Sequence, residues 1–484
     1  MKFNNIYKNT LVASSVIIGT ALITGCSSDD PDKTNIRIIH ASADAPPVDI
    51  KLNGSVAAPK LDYPVSTGFV SIDAGTYDVA VDAIVPGGNL EGVITVDGIT
   101  FAKDQRTTVV AIGDVADTSI SEFVAAESTA TPDADEVAIS VLHAATSVKG
   151  ADVDVYVTAV GADISGATPN FSFDFKGQAD AGALPAGEYQ IRIDAGGDTL
   201  AYDSGKVDLS DFAGQKLLLL AVNTVNSTTK DASPVKLVAY TDTAQMELID
   251  TRTQAGARVV HLSPDAGAVE VFASSDALGS ASPLELITSI DYPVTLPGVN
   301  SYVPVPQGDY IFDVAPDGDG IGGSVFKSPT ISLTTAVEYT AIAAGYVSTG
   351  TPVFDLLPTV DSNRSIVTQA SVKVVHGAPL AGTVDVFVTP AGQYVVMDNK
   401  VVDENGMAAV PLLDDFTFGT ITDYVPVPPG EYDIRVVTEG GAGTVAINET
   451  ANLAAGSVST VIARQPVSGG GLPDDFNLIV LSNQ

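Results

Sequence analysis

One short segment recurs four times along the chain, and this recurrence constrains the possible folds more than any other feature. The copies read IRIIHASADAPPVDIKLNG from Ile36, ISVLHAATSVKGADVDVYVT from Ile139, ARVVHLSPDAGAVEVFASS from Ala257 and VKVVHGAPLAGTVDVFVTP from Val372. The chain has four histidines, and each holds the same place in one copy: His40, His143, His261 and His376. Successive histidines are 103, 118 and 115 residues apart, which is the length of one β-sandwich domain. The sequence therefore predicts four tandem domains.

Side chains alternate between apolar and polar before each histidine, which is the pattern of a β-strand with one buried face. In the third copy, Ala257 and Val259 share a face with His261. A second alternation follows after a short turn, and its polar face carries an acid in every copy: Asp49, Asp154, Glu270 and Asp385. We therefore predict a two-stranded hairpin in each copy, with an exposed polar face. On that face we expect the acids to form weak pairs with Arg37, Arg258 and Lys373.

The repeated histidines have either a chemical or a structural role. Catalysis would need a carboxylate within reach of the imidazole. Asp44 and Asp265 lie four residues after a histidine in two copies, but Ser147 and Leu380 take that place in the others. One histidine per domain does not make a metal site by spacing. We interpret the four histidines as buried, hydrogen-bonded structural residues, and catalysis or metal binding is the alternative.

A second motif, Gly-x-Tyr, recurs once in each copy and ends at Tyr77, Tyr189, Tyr310 and Tyr432. The glycine suits a turn, and the tyrosine opens the next strand. A tyrosine at such a place can bury its ring and donate its hydroxyl to the backbone, as in the tyrosine corner of sandwich domains. We therefore interpret these four tyrosines as structural.

The segment between the histidine and the tyrosine differs most in length among the copies. The two residues are 37, 46, 49 and 56 positions apart. Insertions collect in surface loops, and binding residues concentrate there too. The segment from Pro390 to Thr422 in the fourth copy is therefore our candidate ligand surface, with drift in a surface loop as the alternative.

The N-terminus has the pattern of a targeting segment. Lys2 and Lys8 accompany a 13-residue apolar run, Leu11 to Ile23, which is too short to span a bilayer. The run leads into Leu-Ile-Thr-Gly before Cys26, the only cysteine of the chain. This sequence resembles the lipobox of bacterial lipoproteins, which implies cleavage before Cys26 and a membrane anchor on that residue. Ser27 in the next position favours the outer membrane.

Charge limits the classes of partner. The formal net charge of −36 argues against nucleic acid and against an anionic lipid surface. It is compatible with divalent cations, and Asp317 and Asp319 have the spacing of calcium-loop ligands. The alternative for these two residues is a polar hairpin turn, so calcium is a weak candidate. We expect no other cofactor.

The histidine-centred opening resembles the bacterial domain-of-unknown-function family 4397. The match is best in IRIIHASADAPPVDI and ARVVHLSPDAGAVEVF. It weakens in the second copy, where ATSVKGADV replaces the proline-aspartate turn, and in the fourth, where GAPLAGTV does. The resemblance implies exported β-sandwich repeats, often lipid-anchored and without an assigned activity. It transfers no catalytic residue to this chain.

We therefore predict an all-β chain of four tandem immunoglobulin-like antiparallel β-sandwich domains behind a lipoprotein signal peptide. The predicted ranges are 1–25 for the signal peptide, 26–35 for a tether, and 36–130, 137–250, 256–362 and 370–484 for the four repeats. The predicted function is that of a non-catalytic outer-membrane lipoprotein whose loops bind a protein or glycan, as in adhesion. A structural envelope spacer is the alternative, and a hydrolase that uses the histidines is a third hypothesis.

Overall fold

The computed structural model describes residues 32–197, 199–225, 233–298, 300–348, 350–398, 400–438, 444–466 and 476–483. The predicted signal peptide and Cys26 lie outside these residues. Within them, regular structure consists of β-strands and short 3-10 turns, which confirms the all-β prediction. Across these ranges, no helix combines the length and the hydropathy that crossing a bilayer would require.

The first predicted repeat contains two four-stranded sheets. Its strands are β1 (Lys33–His40), β2 (Val48–Leu52), β3 (Ser55–Leu61), β4 (Val70–Asp73), β5 (Gly75–Ala83), β6 (Leu90–Phe101), β7 (Arg106–Ile112) and β8 (Ser121–Ala125). The sheet with the histidine strand has the order β4-β1-β7-β8, and the sheet with the tyrosine strand has the order β3-β2-β5-β6. We call them the histidine sheet and the tyrosine sheet.

The second repeat keeps this division with one additional strand. Its strands are β9 (Glu136–His143), β10 (Val153–Thr158), β11 (Phe171–Phe173), β12 (Gln178–Pro185), β13 (Glu188–Ala195), β14 (Leu200–Asp208), β15 (Lys216–Asn223), β16 (Val235–Tyr240) and β17 (Gln245–Leu248). The histidine sheet has the order β12-β9-β15-β16-β17, and the tyrosine sheet has the order β11-β10-β13-β14.

The third repeat has shorter pieces at its sheet edges. Its strands are β18 (Ala255–Leu262), β19 (Val269–Ser274), β20 (Leu284–Ile290), β21 (Thr295–Leu296), β22 (Val303–Val305), β23 (Gly308–Pro316), β24 (Phe326–Lys327), β25 (Ile331–Leu333), β26 (Glu338–Ala344) and β27 (Asp355–Asp361). The histidine sheet runs β21-β18-β26-β27, with β22 also on β18. The tyrosine sheet runs β20-β19-β23-β24, with β25 also on β23.

The fourth repeat adds a separate hairpin to the same plan. Its strands are β28 (Ala370–His376), β29 (Val384–Pro390), β30 (Val395–Met397), β31 (Lys400–Val402), β32 (Leu413–Phe416), β33 (Val425–Val427), β34 (Gly430–Thr438), β35 (Val445–Leu453), β36 (Val458–Arg464) and β37 (Asn477–Ser482). The sheets are β33-β28-β36-β37 and β32-β29-β34-β35, and β30 pairs with β31 alone.

The predicted histidine hairpin is wrong. In the first repeat, β1 and β2 belong to different sheets, so the turn after His40 carries the chain across the sandwich. The histidine strand instead pairs in parallel with β7, for example Ile38 with Val109. The same parallel pair recurs in the other three repeats. The alternation could not distinguish these arrangements, because two strands that face each other across a core show the same apolar pattern as two neighbours.

Each repeat has a hydrophobic core between its two sheets, as a sandwich requires. In the third repeat, Val259, Val271 and Phe312 are buried there. A second kind of core lies between repeats. We call it an inter-repeat core, and one joins repeats one and two while another joins repeats three and four.

The inter-repeat cores are built from the outer faces of the histidine sheets. The first includes Ile39 and Val110 from one repeat and Leu142 and Leu218 from the next. The second has corresponding members that are all fully buried: Val260, Ile342, Val375 and Ile462. The described chain accordingly divides into two compact units, with the boundary between Thr253 and Gln254.

Candidate functional site

Each histidine lies at the end of its strand and contacts the turn that follows. The His261 imidazole is fully buried. Its Nε2–H donates to the Gly267 carbonyl oxygen at 2.7 Å, and the Ser263 N–H donates to its Nδ1 at 3.2 Å. His376 repeats this geometry in the fourth repeat, at 2.8 and 3.3 Å. One acceptor and one donor at opposite ring nitrogens assign the neutral Nε2–H tautomer.

The two remaining histidines are equally buried. His40 Nε2 lies 3.1 Å from the Pro46 carbonyl oxygen. At His143, the Ala145 N–H donates to Nδ1 at 3.3 Å, while Nε2 has no hydrogen-bond partner among the described residues. An aromatic ring stands edge-on to the imidazole in three repeats: Phe175 at His143, Tyr292 at His261 and Phe418 at His376.

Burial favours the uncharged form of three of these imidazoles. It lowers the pKa of His143 to about 4, and it also lowers the pKa of His261 and of His376. A general base needs a free nitrogen lone pair that a substrate can reach. At His261 and His376 that lone pair already accepts a backbone N–H inside the protein.

The aspartates that follow two of the histidines bind backbone amides. Asp44 accepts the N–H groups of Val115 and Ala116 at 2.9 and 2.8 Å. Asp265 accepts the N–H groups of Val347 and Ser348, both at 3.0 Å. In each case the carboxylate holds the loop that follows the parallel partner strand. These contacts tie two turns together at one end of the sandwich.

The four tyrosines share one hydrogen bond. Each hydroxyl donates to the carbonyl oxygen four residues earlier, at 2.6 to 2.8 Å: Tyr77 to Asp73, Tyr189 to Pro185, Tyr310 to Pro306 and Tyr432 to Pro428. The bond fixes the turn that leads into the tyrosine strand. Burial also raises the pKa of Tyr77 and of Tyr310.

The sequence pattern did not reveal a buried charge network around Arg258. This side chain and that of Asp361 are both 0% exposed, and their closest atoms are 3.0 Å apart. Arg258 also donates to the Asn483 side chain at 2.7 Å and lies 4.4 Å from the Tyr302 ring centre. Lys373 adds a second cation 3.7 Å from Asp361, and burial lowers its pKa. The network joins repeats three and four.

Arg37 has the corresponding place between repeats one and two. It is 1% exposed and contacts Glu127 at 2.6 Å. Its other bonds go to the Thr108 hydroxyl at 3.0 Å and the Thr241 carbonyl oxygen at 2.9 Å. Because Thr241 belongs to the second repeat, Arg37 ties the two sandwiches together. The Phe69 ring covers the guanidinium at 4.6 Å.

The predicted exposed pairs between these cations and the repeated acids are therefore wrong. The cations lie on the histidine sheets and the acids lie on the tyrosine sheets, on opposite sides of each sandwich. The acids bind neighbouring groups instead: Asp49 accepts the Lys60 N–H, Asp154 the Ser172 hydroxyl, Glu270 the Gly318 and Gly320 N–H groups, and Asp385 the Asp415 N–H.

The calcium candidates Asp317 and Asp319 lie in the exposed turn after β23. Glu270 organises this turn, because its two carboxylate oxygens accept the Gly318 and Gly320 N–H groups at 3.0 and 2.9 Å. A protein carboxylate therefore holds the backbone in its conformation. Calcium at these two residues stays a prediction.

Part of the candidate ligand segment, Pro390 to Thr422, forms an additional layer on the fourth repeat, while β32 within the segment belongs to the tyrosine sheet. We call residues 391–412 the repeat-four insertion. Its strand β31 buries Val401, which is 3% exposed, against Phe387 and Val437 on the outer face of the tyrosine sheet. The insertion also exposes several apolar side chains to solvent: Val395 (50%), Val396 (40%), Met397 (57%), Met407 (69%), Val410 (85%) and Leu412 (43%).

Three carboxylates adjoin the end of this insertion. One oxygen from each of Asp385, Asp414 and Asp415 lies within 4.8 Å of the others. We call this group the carboxylate triad. Asp385 Oδ1 accepts the Asp415 N–H at 3.1 Å. The sequence pattern identified Asp385 as an outward acid, but the approach of the other two depends on the β32 pairing.

A protein-family model matches most of the chain. The family is described as a domain of unknown function (DUF4397), and it matches residues 34–156, 255–387 and 396–484. These segments spread over both units, as expected for tandem copies. No curated protein sequence matches the chain.

Three solved structures illustrate how far the fold likeness extends. The Bacillus anthracis TIE protein is 12% identical, with 90% of this chain and 68% of its own covered, at a TM-score of 0.14. A CBM26 module from Eubacterium rectale Amy13K, in complex with maltoheptaose, is 12% identical, with 46% and 96% covered, at 0.16. A putative cell adhesion protein from Bacteroides ovatus is 12% identical, with 47% and 96% covered, at 0.18. Similarity at this level carries no information about function.

Proposed function

The chain belongs to the DUF4397 family, and we propose that it is a non-catalytic protein of the bacterial cell envelope that binds another protein through its repeat-four insertion. The anchor in this proposal is a lipid on Cys26, in the lipobox-like sequence after Leu11 to Ile23. The proposed location is the outer membrane. The four histidines and four tyrosines hold turns within their own repeats.

One observation carries the binding proposal: the repeat-four insertion leaves several apolar side chains exposed in addition to the one that it buries against the sheet. The buried side chain is Val401, which packs against the tyrosine sheet. In the same insertion, Val410 is 85% exposed and Met407 is 69% exposed. Contiguous exposed apolar side chains mark interaction surfaces on soluble domains. Aliphatic side chains and a flexible methionine suit a protein partner, whose shape they can follow.

The envelope spacer is a second candidate, and the inter-repeat cores favour it. They bury apolar side chains of two neighbouring sandwiches together, which gives each pair of repeats a fixed geometry. A rigid pair suits a spacer that separates two surfaces. In that function the repeat-four insertion would have no specific partner.

Photo-crosslinking in intact cells separates these candidates. A benzoylphenylalanine is placed at Val410 in one variant and at Val325 in the other, because Val325 is also exposed, at 63%, but lies in the third repeat. We expect a discrete protein adduct from position 410 and none from position 325. A glycan ligand would instead give an adduct that glycosidases remove.

The anchor is tested in the same strains. A Cys26→Ser variant should leave the membrane fraction and lose the adduct at position 410 if the partner is in the membrane. Equal adducts from both positions, or none from either at normal protein levels, would leave the spacer as the function.

A further inference from the structure

The exposed surface of the repeat-four insertion combines apolar and acidic side chains. Met407, Val410 and Leu412 are exposed side chains in one short stretch. Asp414, a member of the carboxylate triad, is also exposed and follows Leu412 by only two residues. A partner that covers these apolar side chains therefore also meets the triad.

The triad is electrostatically unbalanced. A hydrogen bond shared with the Asp385 carboxyl, together with the negative charge around it, raises the pKa of Asp414. Carboxylates at this separation repel each other, since like charges disfavour each other's ionised form. A cationic side chain placed among them would relieve this repulsion and form charge-assisted hydrogen bonds.

The charge of the surrounding segment has the same sign. Residues 391–415 contain one base, Lys400, against five acids: Asp398, Asp403, Glu404, Asp414 and Asp415. A second copy of this chain, related by a two-fold axis, would place this acidic surface against itself. An anionic lipid surface would be repelled in the same way. Among partners that bury apolar side chains, a basic one is therefore favoured.

Building on the proposed function, we propose that the repeat-four insertion binds a protein segment in which apolar side chains are accompanied by lysine or arginine. The apolar side chains cover Met407 and Val410. The cationic side chain enters the carboxylate triad, where a guanidinium can bond two carboxylate oxygens at once. Charge complementarity of this kind selects the partner and speeds its association.

Three labelled peptides of equal length test the charge requirement on the full mature chain. One combines lysine with leucine, one glutamate with leucine, and one lysine with serine. We expect the lysine–leucine peptide to bind about tenfold more tightly than either of the others. The D414N/D415N variant should weaken it about fivefold, and V410S should weaken it by a similar factor.

The matched control removes two acids at a distance from the insertion. Asp97 and Glu122 are exposed in the first repeat, so the D97N/E122Q variant has the same net charge as D414N/D415N. It should change binding less than about twofold if the effect is local. Equal losses of peptide affinity in both double variants would overturn the proposal, because binding would then depend on the net charge of the chain and not on the carboxylate triad.

Other outcomes separate this proposal from the proposed function. If the glutamate–leucine peptide binds as well as the lysine–leucine peptide, or if the crosslink at position 410 persists unchanged in D414N/D415N, the basic partner is overturned and protein binding stands. If calcium chloride alone stabilises the chain and D414N/D415N abolishes that gain, the triad is a cation site and the proposal is overturned. Loss of the crosslink in every strain overturns both.

Discussion

The histidine strand has two buried faces, and they satisfy their polar groups in different ways. On the inner face, His261 is uncharged and bonds to the backbone of its own repeat. On the outer face, Arg258 is charged and bonds to Asp361 and to Asn483, which lies in the next repeat. Two adjacent valines show the same division, because Val259 belongs to the sandwich core and Val260 to the inter-repeat core.

This difference shows which contacts build a repeat and which join two of them. The turn that the histidine closes is complete within one sandwich, whereas the arginine needs atoms from two. A neutral group costs less to bury than a charge, and an unpaired buried charge is strongly destabilising. We therefore expect the association of the repeats to depend on the charged face more than on any single apolar contact.

The largest effect is expected from Arg258→Ala. The variant leaves Asp361 buried without its closest cation, so the free energy of unfolding should fall by about 3 to 5 kcal/mol. Urea denaturation of the mature chain measures this loss. Arg37→Ala is the comparison: Glu127 is 15% exposed and water can reach it, so the loss should be about 1 to 3 kcal/mol. A smaller loss at Arg258 than at Arg37 would contradict this account of the network.

The inner face should respond to pH. The pKa of His143 is about 4 in the folded chain against 6.5 for an ordinary histidine. Between these values the unfolded chain binds a proton that the folded chain does not, so stability is complete above pH 6.5 and falls as the pH decreases toward 4. The loss attributable to His143 should be about 3 kcal/mol. Urea denaturation of the parent and of His143→Gln at several pH values across this range isolates the histidine contribution, because the carboxylates titrate in both proteins. If the free energy of unfolding depends on pH in the same way in both, this assignment to His143 is refuted.

The two valines give the smallest effect and the sharpest test of the comparison. Each substitution to alanine removes two buried methyl groups, so Val259→Ala and Val260→Ala should each lower the free energy of unfolding by about 2 kcal/mol. If the repeats were independent sandwiches, Val260 would lie on a surface and its substitution would be nearly neutral, within about 0.5 kcal/mol. Urea denaturation of both variants therefore decides whether the inter-repeat core contributes as a core.

Much of each sandwich could be predicted from sequence. The fourfold recurrence indicated the number of repeats, and the two-residue period placed Val259 and His261 on one inner face, where both are buried. The Gly-x-Tyr motif indicated a hydroxyl bonded to the backbone, as the Tyr310 bond to Pro306 shows. These features depend on residues close together in sequence, so a single copy of the segment is enough to predict them.

The pairing of repeats was missed, although the sequence contains a signal for it. The residue before each histidine is apolar in all four copies, and all four are buried in inter-repeat cores: Ile39, Leu142, Val260 and Val375. On a face assigned to solvent, such residues should have been polar. The neighbouring Arg258 and Lys373 favoured the solvent interpretation, because charged residues are rarely fully buried without partners. Their partner Asp361 is distant in sequence, so local pattern alone could not supply it.

The surface proposed for binding could be predicted only in part from the sequence. Length differences directed attention to the segment that contains the repeat-four insertion, but the apolar run at Val395 to Met397 is also what a buried strand would show. Only the packing of Val401 against Phe387 reveals which side of the hairpin is covered. The carboxylate triad likewise depends on a pairing between β29 and β32 that includes a register shift.

The arrangement of the inter-repeat cores governs how this chain can be divided for expression. A fragment that ends after one repeat of a pair would expose an apolar sheet face and an arginine that has lost its bonds to the other repeat, and exposed apolar patches of this kind favour aggregation. A cut between Thr253 and Gln254 keeps each inter-repeat core within one fragment. Experiments that shuffle or graft these sandwiches should accordingly transfer repeats one and two together, or repeats three and four together.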